Sequence, residues 1–157
     1  MGLMLVKMTE DDLSRYLENA ISKYAHEKMK GEGLTEGEAY KISKDSYSSL
    51  LPDGIHSKNQ YLFNVVEEKT EIKIGILWIA EKANGDRKYA YIYDIEINED
   101  HRGKGYGKKV MHLLEDKVKS MNLNSIGLHV FGHNTTAISL YEKMGYRTTN
   151  RVMRKDL

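Results

Sequence analysis

The segment Arg102-Gly103-Lys104-Gly105-Tyr106-Gly107 separates a β-rich run at 89–98 from a run at 105–121 whose apolar residues follow helical spacing. Glycines let the backbone approach a phosphate closely, and successive N–H groups at the start of a helix bind anions. Lys104, Lys108 and Lys109 add positive charge at the same end of the helix. The segment therefore predicts a strand-to-helix turn that binds a pyrophosphate group.

Two other phosphate-binding motifs do not fit this turn. A Rossmann fingerprint requires G-x-G-x-x-G, and the spacing Gly103-x-Gly105-x-Gly107 is one residue short. A Walker loop requires Gly-Lys followed by Ser or Thr, whereas Lys108 is followed by Lys109. A turn that uses its glycines for shape alone remains the alternative to an anion site.

The segments that follow this turn and its helix indicate a strand, a helix and a last strand. Residues 125–131 alternate as a strand that lies parallel to 89–98 through a right-handed crossover. Asn134 is placed to cap the helix, Gly145 is placed as its C′ residue, and 146–152 is expected to be the last strand. The apolar face of this helix comprises Ala137, Leu140, Tyr141 and Met144.

The first half of the chain predicts a strand, two helices and a meander of strands. Thr9 is placed to cap the first helix, which Gly31 and Gly33 are expected to break. Thr35 with Glu38 has the spacing of a capping box at the start of the second helix. The expected helices are 10–30 and 35–50, and the expected strands are 2–8, 61–67, 72–81 and 89–98.

The composition is that of one globular domain spanning 1–157. Hydrophobic residues make up 40% and the formal net charge is +1, so the charge balance indicates neither nucleic acid nor an anionic membrane as a partner. The longest apolar run, 74–80, is too short to cross a bilayer. The chain has no cysteine, which excludes disulfides, thiolate metal sites and a cysteinyl-enzyme intermediate. A cytoplasmic protein without a secretory signal is expected.

The order of elements and two local patterns together resemble the GNAT superfamily of N-acetyltransferases. The first pattern is R-x-x-G-x-G at 102–107, after a strand. The second is Asn134-x-x-Ala137-x-x-Leu140-Tyr141-x-x-x-Gly145-Tyr146. The resemblance covers essentially the whole chain. Within the superfamily, Leu51-Pro52-Asp53-Gly54 and the run LHVFGHN at 128–134 look like the YycN-like bacterial branch.

The resemblance implies an α+β fold with a mixed, mostly antiparallel sheet of about six to seven strands and about four flanking helices. The central parallel strands, 89–98 and 124–131, are then expected to splay apart. The backbone of Ile95, Glu96 and Ile97 would bind the pantetheine of acetyl-CoA as an added strand does, and the Ile97 N–H would stabilise the oxyanion. The residues implied at the pyrophosphate are Arg102, Gly103, Lys104, Gly105, Tyr106, Gly107 and Lys108.

Because the chain has no cysteine, acetyl transfer directly to an amine in a ternary complex is expected, without a metal. The resemblance makes Tyr141 the general acid toward the departing thiolate, since reference pKa values of about 10 for a phenol and about 8.5 for a thiol are close. Packing in the core is the alternative for this side chain. Asn134 is expected to cap its helix, and a contact to CoA or to the surroundings of Tyr141 is a further possibility.

The group that accepts a proton from the attacking amine is less well defined by the sequence. His129 is the first candidate, because it is expected mid-strand beside the splay and an imidazole titrates near neutral pH. A hydrogen-bonded histidine of the sheet is the alternative. Asp94 and Glu96 are expected to face away from Ile95 and to form structural salt bridges. His133 is expected in the turn before the last helix, and the histidines show no metal-ligand spacing.

The acceptor is left open by the sequence. Tyr89, Tyr91 and Tyr93 alternate on one strand face, and they are expected to line the acceptor cleft or pack on the first helices rather than to stack on RNA. The candidate acceptors are a protein N-terminus, a lysine, a polyamine or a small metabolite amine, and a homodimer stays open. The contrasting function is a non-catalytic CoA-binding regulatory module, against which the retained Tyr141 argues.

Overall fold

The computed structural model describes residues 2–157, which form a five-stranded mixed sheet and four α-helices. The strands are β1 (Leu3–Lys7), β2 (Gln60–Glu67), β3 (Lys73–Asn84), β4 (Arg87–Ile97) and β5 (Ile126–Leu128). The helices are α1 (Glu10–Glu32), α2 (Glu36–Leu50), α3 (Tyr106–Ser120) and α4 (Thr135–Lys143), with short 3-10 turns at Gly54–His56 and Glu99–His101. The sheet order follows the chain, and its pairings are antiparallel except that of β4 with β5.

Reciprocal side-chain caps begin the first two helices, as the sequence predicts. Thr9 accepts the N–H of Asp12 at 3.1 Å, and the Asp12 carboxylate accepts the N–H of Thr9 at 2.9 Å. Thr35 and Glu38 form the same capping box at the start of α2. Each box satisfies N–H groups that the helix itself leaves unpaired, so both starting points are set locally.

One of the two glycines expected to break α1 lies inside it. Gly33 ends the helix in the left-handed conformation with φ 69°, but Gly31 is helical. A Cβ atom at Gly31 would stand 2.8 Å from the ring of Phe131, so the glycine permits close packing of the helix against that ring. This contact compensates in part for the cost of a helical glycine, about 1 kcal/mol.

The expected count of six to seven strands is wrong. The strand expected at 125–131 is the three-residue β5, and 146–152 forms no strand. Residues 147–157 are exposed, and 147–151 are polar, so pairing them along β5 would bury little apolar surface. Arg154 in this segment instead donates to the carbonyl of Glu32 at 2.7 Å, at the end of α1.

The sheet separates two apolar clusters. The cluster under α3 includes Val110 and Leu114 of that helix and Ile92 of β4. The cluster under α1 and α2 surrounds Trp78 and includes Leu13. Both faces of the central strands are therefore covered. Within the described part of the chain, no helix is both long and apolar enough to span a membrane.

A β-bulge in β4 shifts the alternation of the strand where the site begins. Trp78 and Ile79 are consecutive on β3, but their partners on β4 are Asp94 and Ile92, so Tyr93 is the additional residue. The side chains of Tyr93 and Asp94 consequently share the face of the sheet that α1 and α2 cover, where simple alternation would separate them.

The expected splay of the parallel strands is confirmed. β4 pairs with β5 over Ala90–Ile92 and Ile126–Leu128, and β4 then continues to Ile97 without β5 beside it. The N–H of Ala90 donates to the carbonyl of Ser125 at 2.9 Å. Before the bulge, the backbone N–H and C=O groups of the even-numbered residues of β4 therefore face β5. We call the space that opens beyond the last paired residues the gap.

After the bulge, the odd-numbered residues of β4 face the gap. The N–H of Asn98 donates to the carbonyl of Ile74 at 2.7 Å, so beyond the bulge the backbone N–H and C=O groups of the even-numbered residues face β3. In an antiparallel pair, neighbouring residues direct their backbone groups to opposite sides. The backbone groups of Ile95 and Ile97 therefore point into the gap.

Candidate active site

The glycine-rich turn joins β4 to α3 and leaves its backbone open to solvent. Gly103 and Gly105 are left-handed, with φ 76° and 79°, and a Cβ atom on either would meet nothing within 4 Å. Gly105 is the N-cap of α3 and provides no capping side chain for the first N–H groups of that helix. These N–H groups, the helix dipole and the exposed Lys104 and Lys108 fit a pyrophosphate.

Arg102 ties the turn to the splayed part of β4. Its Nε donates to the carbonyl of Ile97 at 2.8 Å, and its terminal nitrogen lies 3.6 Å from the carboxylate of Glu96. Glu96 also accepts from Lys23 at 2.6 Å, so the salt bridge expected for Glu96 is present. The turn and the strand edge are thus held together by one guanidinium.

The register of β4 distinguishes among the residues expected to bind pantetheine. Glu96 stands opposite Ile76, and its backbone groups face β3, whereas Ile95 and Ile97 face the gap. The side chain of Tyr106, which the sequence places at the pyrophosphate, donates to Glu67 on β2 at 2.6 Å. Its backbone N–H stays at the start of α3, where it is the group available to an anion.

A cleft of about 840 Å³ lies between α1, α2 and β4 and continues into the gap. Seven aromatic side chains line it, and we call it the aromatic cleft: Tyr24, Tyr47, Trp78, Tyr91, Tyr93, Phe131 and Tyr141. The three residues predicted to be catalytic, His129, Asn134 and Tyr141, line the same cleft. A second cavity of about 620 Å³ shares Asp94 and Ile95 with it and reaches Arg102.

Tyr141 presents a protonated hydroxyl to the aromatic cleft. Its half-buried ring packs 5.7 Å from that of Tyr146, and no residue in 2–157 forms a hydrogen bond with its hydroxyl. Burial, and then the charge of Asp94, raise the pKa of Tyr141 above that of an ordinary phenol. The hydroxyl is therefore protonated at neutral pH and available as a donor.

Asp94 is the residue of the site that sequence reasoning misassigned. The expected salt bridge is wrong, because no cationic group of the described residues lies within 4.0 Å of it, and Tyr16 donates to its carboxylate at 2.5 Å. Burial raises the pKa of Asp94, although the bond from Tyr16 acts in the opposite direction. No local pattern indicates this pair, since its members are 78 residues apart.

The segment between β5 and α4 carries the other predicted polar residues. His129 is exposed and lies one residue beyond β5 rather than mid-strand, with its ring 4.9 Å from Phe131. Asn134 caps α4 as expected by accepting the N–H of the third helical residue at 3.3 Å. His133 lies in the preceding turn and pairs with Glu27 of α1. No group of three possible metal ligands occurs among residues 2–157.

Residues 21–146 match the sequence model of the Acetyltransferase (GNAT) family. The chain belongs to the GNAT family. It is an acyltransferase, and it is 35% identical over 157 residues to the uncharacterized N-acetyltransferase YycN of Bacillus subtilis (strain 168), with each protein covered completely. The crystal structure of YycN superposes with a TM-score of 0.93 over 99% of both chains.

Two further relatives of this GNAT enzyme differ in how much they share with it. The uncharacterized N-acetyltransferase YdgE of Bacillus subtilis (strain 168) is 33% identical over 157 residues, which are 100% of this chain and 99% of YdgE. The spermidine N(1)-acetyltransferase of Vibrio cholerae is 30% identical over 105 residues, which are 66% of this chain and 59% of that protein. The resemblance seen in the sequence, including its YycN-like branch, is confirmed.

Proposed function

We propose that this GNAT enzyme, as one domain of residues 1–157, transfers the acetyl group of acetyl-CoA directly to a primary amine in a ternary complex. The observation that carries the proposal is the reversed alternation of β4, which directs the backbone of Ile95 and Ile97 into the gap beside the glycine-rich turn. The partial relative from Vibrio cholerae supports an amine acceptor, since its name gives spermidine, a primary amine, as its substrate.

Acetyl-CoA fits the open backbone groups of the site. Its pyrophosphate would be bound by the first N–H groups of α3, by the turn and by the neighbouring lysines. Its pantetheine would lie in the gap and bond the backbone of Ile95 and Ile97, because an amide chain can pair with a strand edge. The residues proposed for the pyrophosphate are Arg102, Gly103, Lys104, Gly105, Tyr106, Gly107 and Lys108.

The chemistry requires an oxyanion donor and a proton donor. The amine nitrogen attacks the thioester carbonyl, a C–N bond forms, and the Ile97 N–H stabilises the negative oxygen. The C–S bond then breaks, and Tyr141 donates its proton to the departing thiolate. Asn134, at the start of α4, would hold the helix that carries Tyr141 and contact CoA. The acetylated amine and CoA leave.

A base must remove a proton from the attacking amine, and two side chains of the aromatic cleft qualify. We propose His129 first, because it is exposed at the edge of the gap. Asp94 is the second candidate, because it is half-buried where the cleft meets the gap and has no cationic partner within ion-pair distance among the described residues. Substitution of each residue separates the two.

Thiol release from acetyl-CoA, measured with a panel of primary amines, tests the proposal. We expect release that depends on the amine and an acetylated amine detected by mass spectrometry. Calorimetric binding of CoA is measured in parallel. Binding of CoA without amine-dependent release for any member of the panel would instead indicate a CoA-binding module.

A further inference from the structure

The charge lining the aromatic cleft is mostly negative. Among the described residues, one ammonium, that of Lys28, lines it together with four carboxylates, those of Glu27, Glu32, Asp45 and Asp94. The ammonium lies 2.9 Å from both carboxylate oxygens of Glu32 and neutralises it. Four carboxylates less one ammonium leave an excess of three negative charges among the lining residues when the histidines are neutral, and the ammonium of Lys82, which contacts the rings of Tyr91 and Tyr93, reduces this excess to two.

These carboxylates come from two parts of the fold, the strand β4 and the first two helices. Asp94 is half-buried where the cleft meets the gap. Glu27, Glu32 and Asp45 belong to α1 and α2 and are at least partly exposed, and we call them the acidic rim. Glu27 is paired with His133, whereas Asp45 has no ion-pair partner among residues 2–157. A positively charged group at the rim would therefore meet carboxylates that the protein does not fully neutralise.

The aromatic residues of the cleft already contact ammonium groups of the protein itself. The Nζ atom of Lys82 lies 4.1 Å from the ring centroid of Tyr91 and 5.1 Å from that of Tyr93. Lys28 lies 5.6 Å from the ring of Tyr24. Cations are attracted to the faces of aromatic rings. The walls are thus compatible with the passage and binding of a cationic chain.

We propose that the aromatic cleft selects an aliphatic amine with a second ammonium group, such as a diamine or polyamine. This inference rests on the proposed acetyl transfer and specifies its substrate class. One amino group reacts at the gap, the carbon chain packs against the aromatic walls, and the second ammonium group binds at the acidic rim. A carboxylate at that end of the substrate would meet like charges and be disfavoured.

Three acceptors of equal chain length test the inference: diaminopentane, aminopentanol and aminopentanoate with a terminal amine. They carry the same reacting group and differ in the charge at the far end. We expect kcat/KM to be about tenfold higher for the diamine than for the amino alcohol, and lowest for the amino acid, because several partly exposed charge pairs each contribute a few-fold. The preference should weaken as salt is added.

Asp45→Asn removes one carboxylate of the acidic rim and keeps the shape of the side chain. We expect it to lower the ratio of diamine to amino alcohol kcat/KM about threefold. Asp86→Asn, at an exposed carboxylate in the turn between β3 and β4, is the matched control and should leave that ratio unchanged. Equal kcat/KM values for the three acceptors would overturn the inference while leaving acetyl transfer established. No turnover with any amine would contradict the proposed function itself.

Discussion

The hydroxyl of Tyr16 on α1 donates to the carboxylate of Asp94 on β4 across 2.5 Å. The bond connects the first helix to the residue that follows the β-bulge, where the strands separate. A phenol compensates a half-buried carboxylate less than a cation does, and partial burial raises the pKa of Asp94 despite this bond. The site thus holds a carboxylate whose charge is disfavoured by the fold.

Asp94→Asn should make the protein more stable at neutral pH. Because the pKa of Asp94 is higher in the folded state, the folded chain binds the proton more tightly than the unfolded chain does. Stability is therefore lost as pH rises from the ordinary pKa of an aspartate, about 4, through the raised pKa of Asp94. The asparagine removes this loss, so its Tm should exceed that of the parent at neutral pH and vary less with pH.

Thermal melts in acidic and neutral buffers check the sign of this effect, with Asp86→Asn as an exposed control. If Asp94 is the base, amine-dependent turnover should fall about 10²–10⁴-fold. The loss of the negative charge should also lower the pKa of Tyr141, which Asp94 helps to raise, and move the alkaline limb of the rate profile to lower pH. A lower Tm for the asparagine variant at neutral pH would contradict the interpretation.

Gly105→Val should abolish CoA binding without unfolding the protein. The residue is left-handed with φ 79°, a conformation that β-branched residues avoid, so the first N–H groups of α3 would be redirected. Gly85→Val is the matched control, because Gly85 has φ 64° and open space around it in a turn remote from the site. Calorimetry with CoA should separate the two variants, and equal affinities would remove the turn from the site.

Two strand glycines allow a test of how β4 is positioned. A Cβ atom at Gly75 of β3 would stand 2.1 Å from the backbone oxygen of Glu96, so Gly75→Ala must displace β4 beside Ile97. We expect a loss of about 1–3 kcal/mol in the free energy of unfolding and weaker CoA binding. Urea unfolding of Gly127→Ala is the control, since its Cβ would make contacts of 3.7 Å or longer. Similar stabilities for the two variants would show that β4 adapts freely.

Features that depend on a few neighbouring residues were predictable from the sequence. Thr9, Thr35 and Asn134 cap their helices as expected, because each bonds an N–H within its own first turn. Gly145 ends α4 with φ 94°, and its N–H and that of Tyr146 bond back to the last turn. The glycine-rich turn is also defined locally, because its N-cap residue Gly105 has no side chain that could bond the first N–H groups of α3.

Features that depend on distant partners were not predictable. Alternation in the sequence cannot reveal the bulge at Tyr93, which is defined by how β4 pairs with Trp78 and Ile79 of β3. The helical Gly31 depends on the ring of Phe131, 100 residues further along the chain, and the acidic rim depends on how α1 packs beside α2. Local signals fix the ends of elements, whereas register and packing fix the chemistry of the cleft.

His129→Ala tests the first candidate base. His129 is exposed at the cleft edge and contacts Phe131, so its removal should leave the core and CoA affinity unchanged. If it accepts the proton of the amine, kcat should fall and the apparent pH optimum should rise, because more of the amine must then deprotonate without help. A pH–rate profile identical to that of the parent would assign the proton to Asp94 or to water.

Tyr141→Phe separates acid catalysis from packing. The substitution keeps the ring beside Tyr146 and removes a hydroxyl that has no hydrogen-bond partner in residues 2–157, so the free energy of unfolding should hardly change. If the hydroxyl protonates the departing thiolate, kcat should fall about 10²–10⁴-fold with CoA affinity nearly constant. The loss should shrink for an acetyl thioester of a more acidic thiol, because that thiolate needs less help to leave.

Tyr146→Phe is the matched control for this variant. The hydroxyl of Tyr146 is buried without a hydrogen-bond partner among the described residues. Burial is the main cause that raises the pKa of Tyr146 to about 12. Its removal should therefore stabilise the protein slightly and leave kcat unchanged, since an unsatisfied buried hydroxyl is a cost to the fold. Equal kcat values for Tyr141→Phe, Tyr146→Phe and the parent, with an accepted amine, would refute the acid role of Tyr141. The glycine-rich turn and the gap would still account for CoA binding.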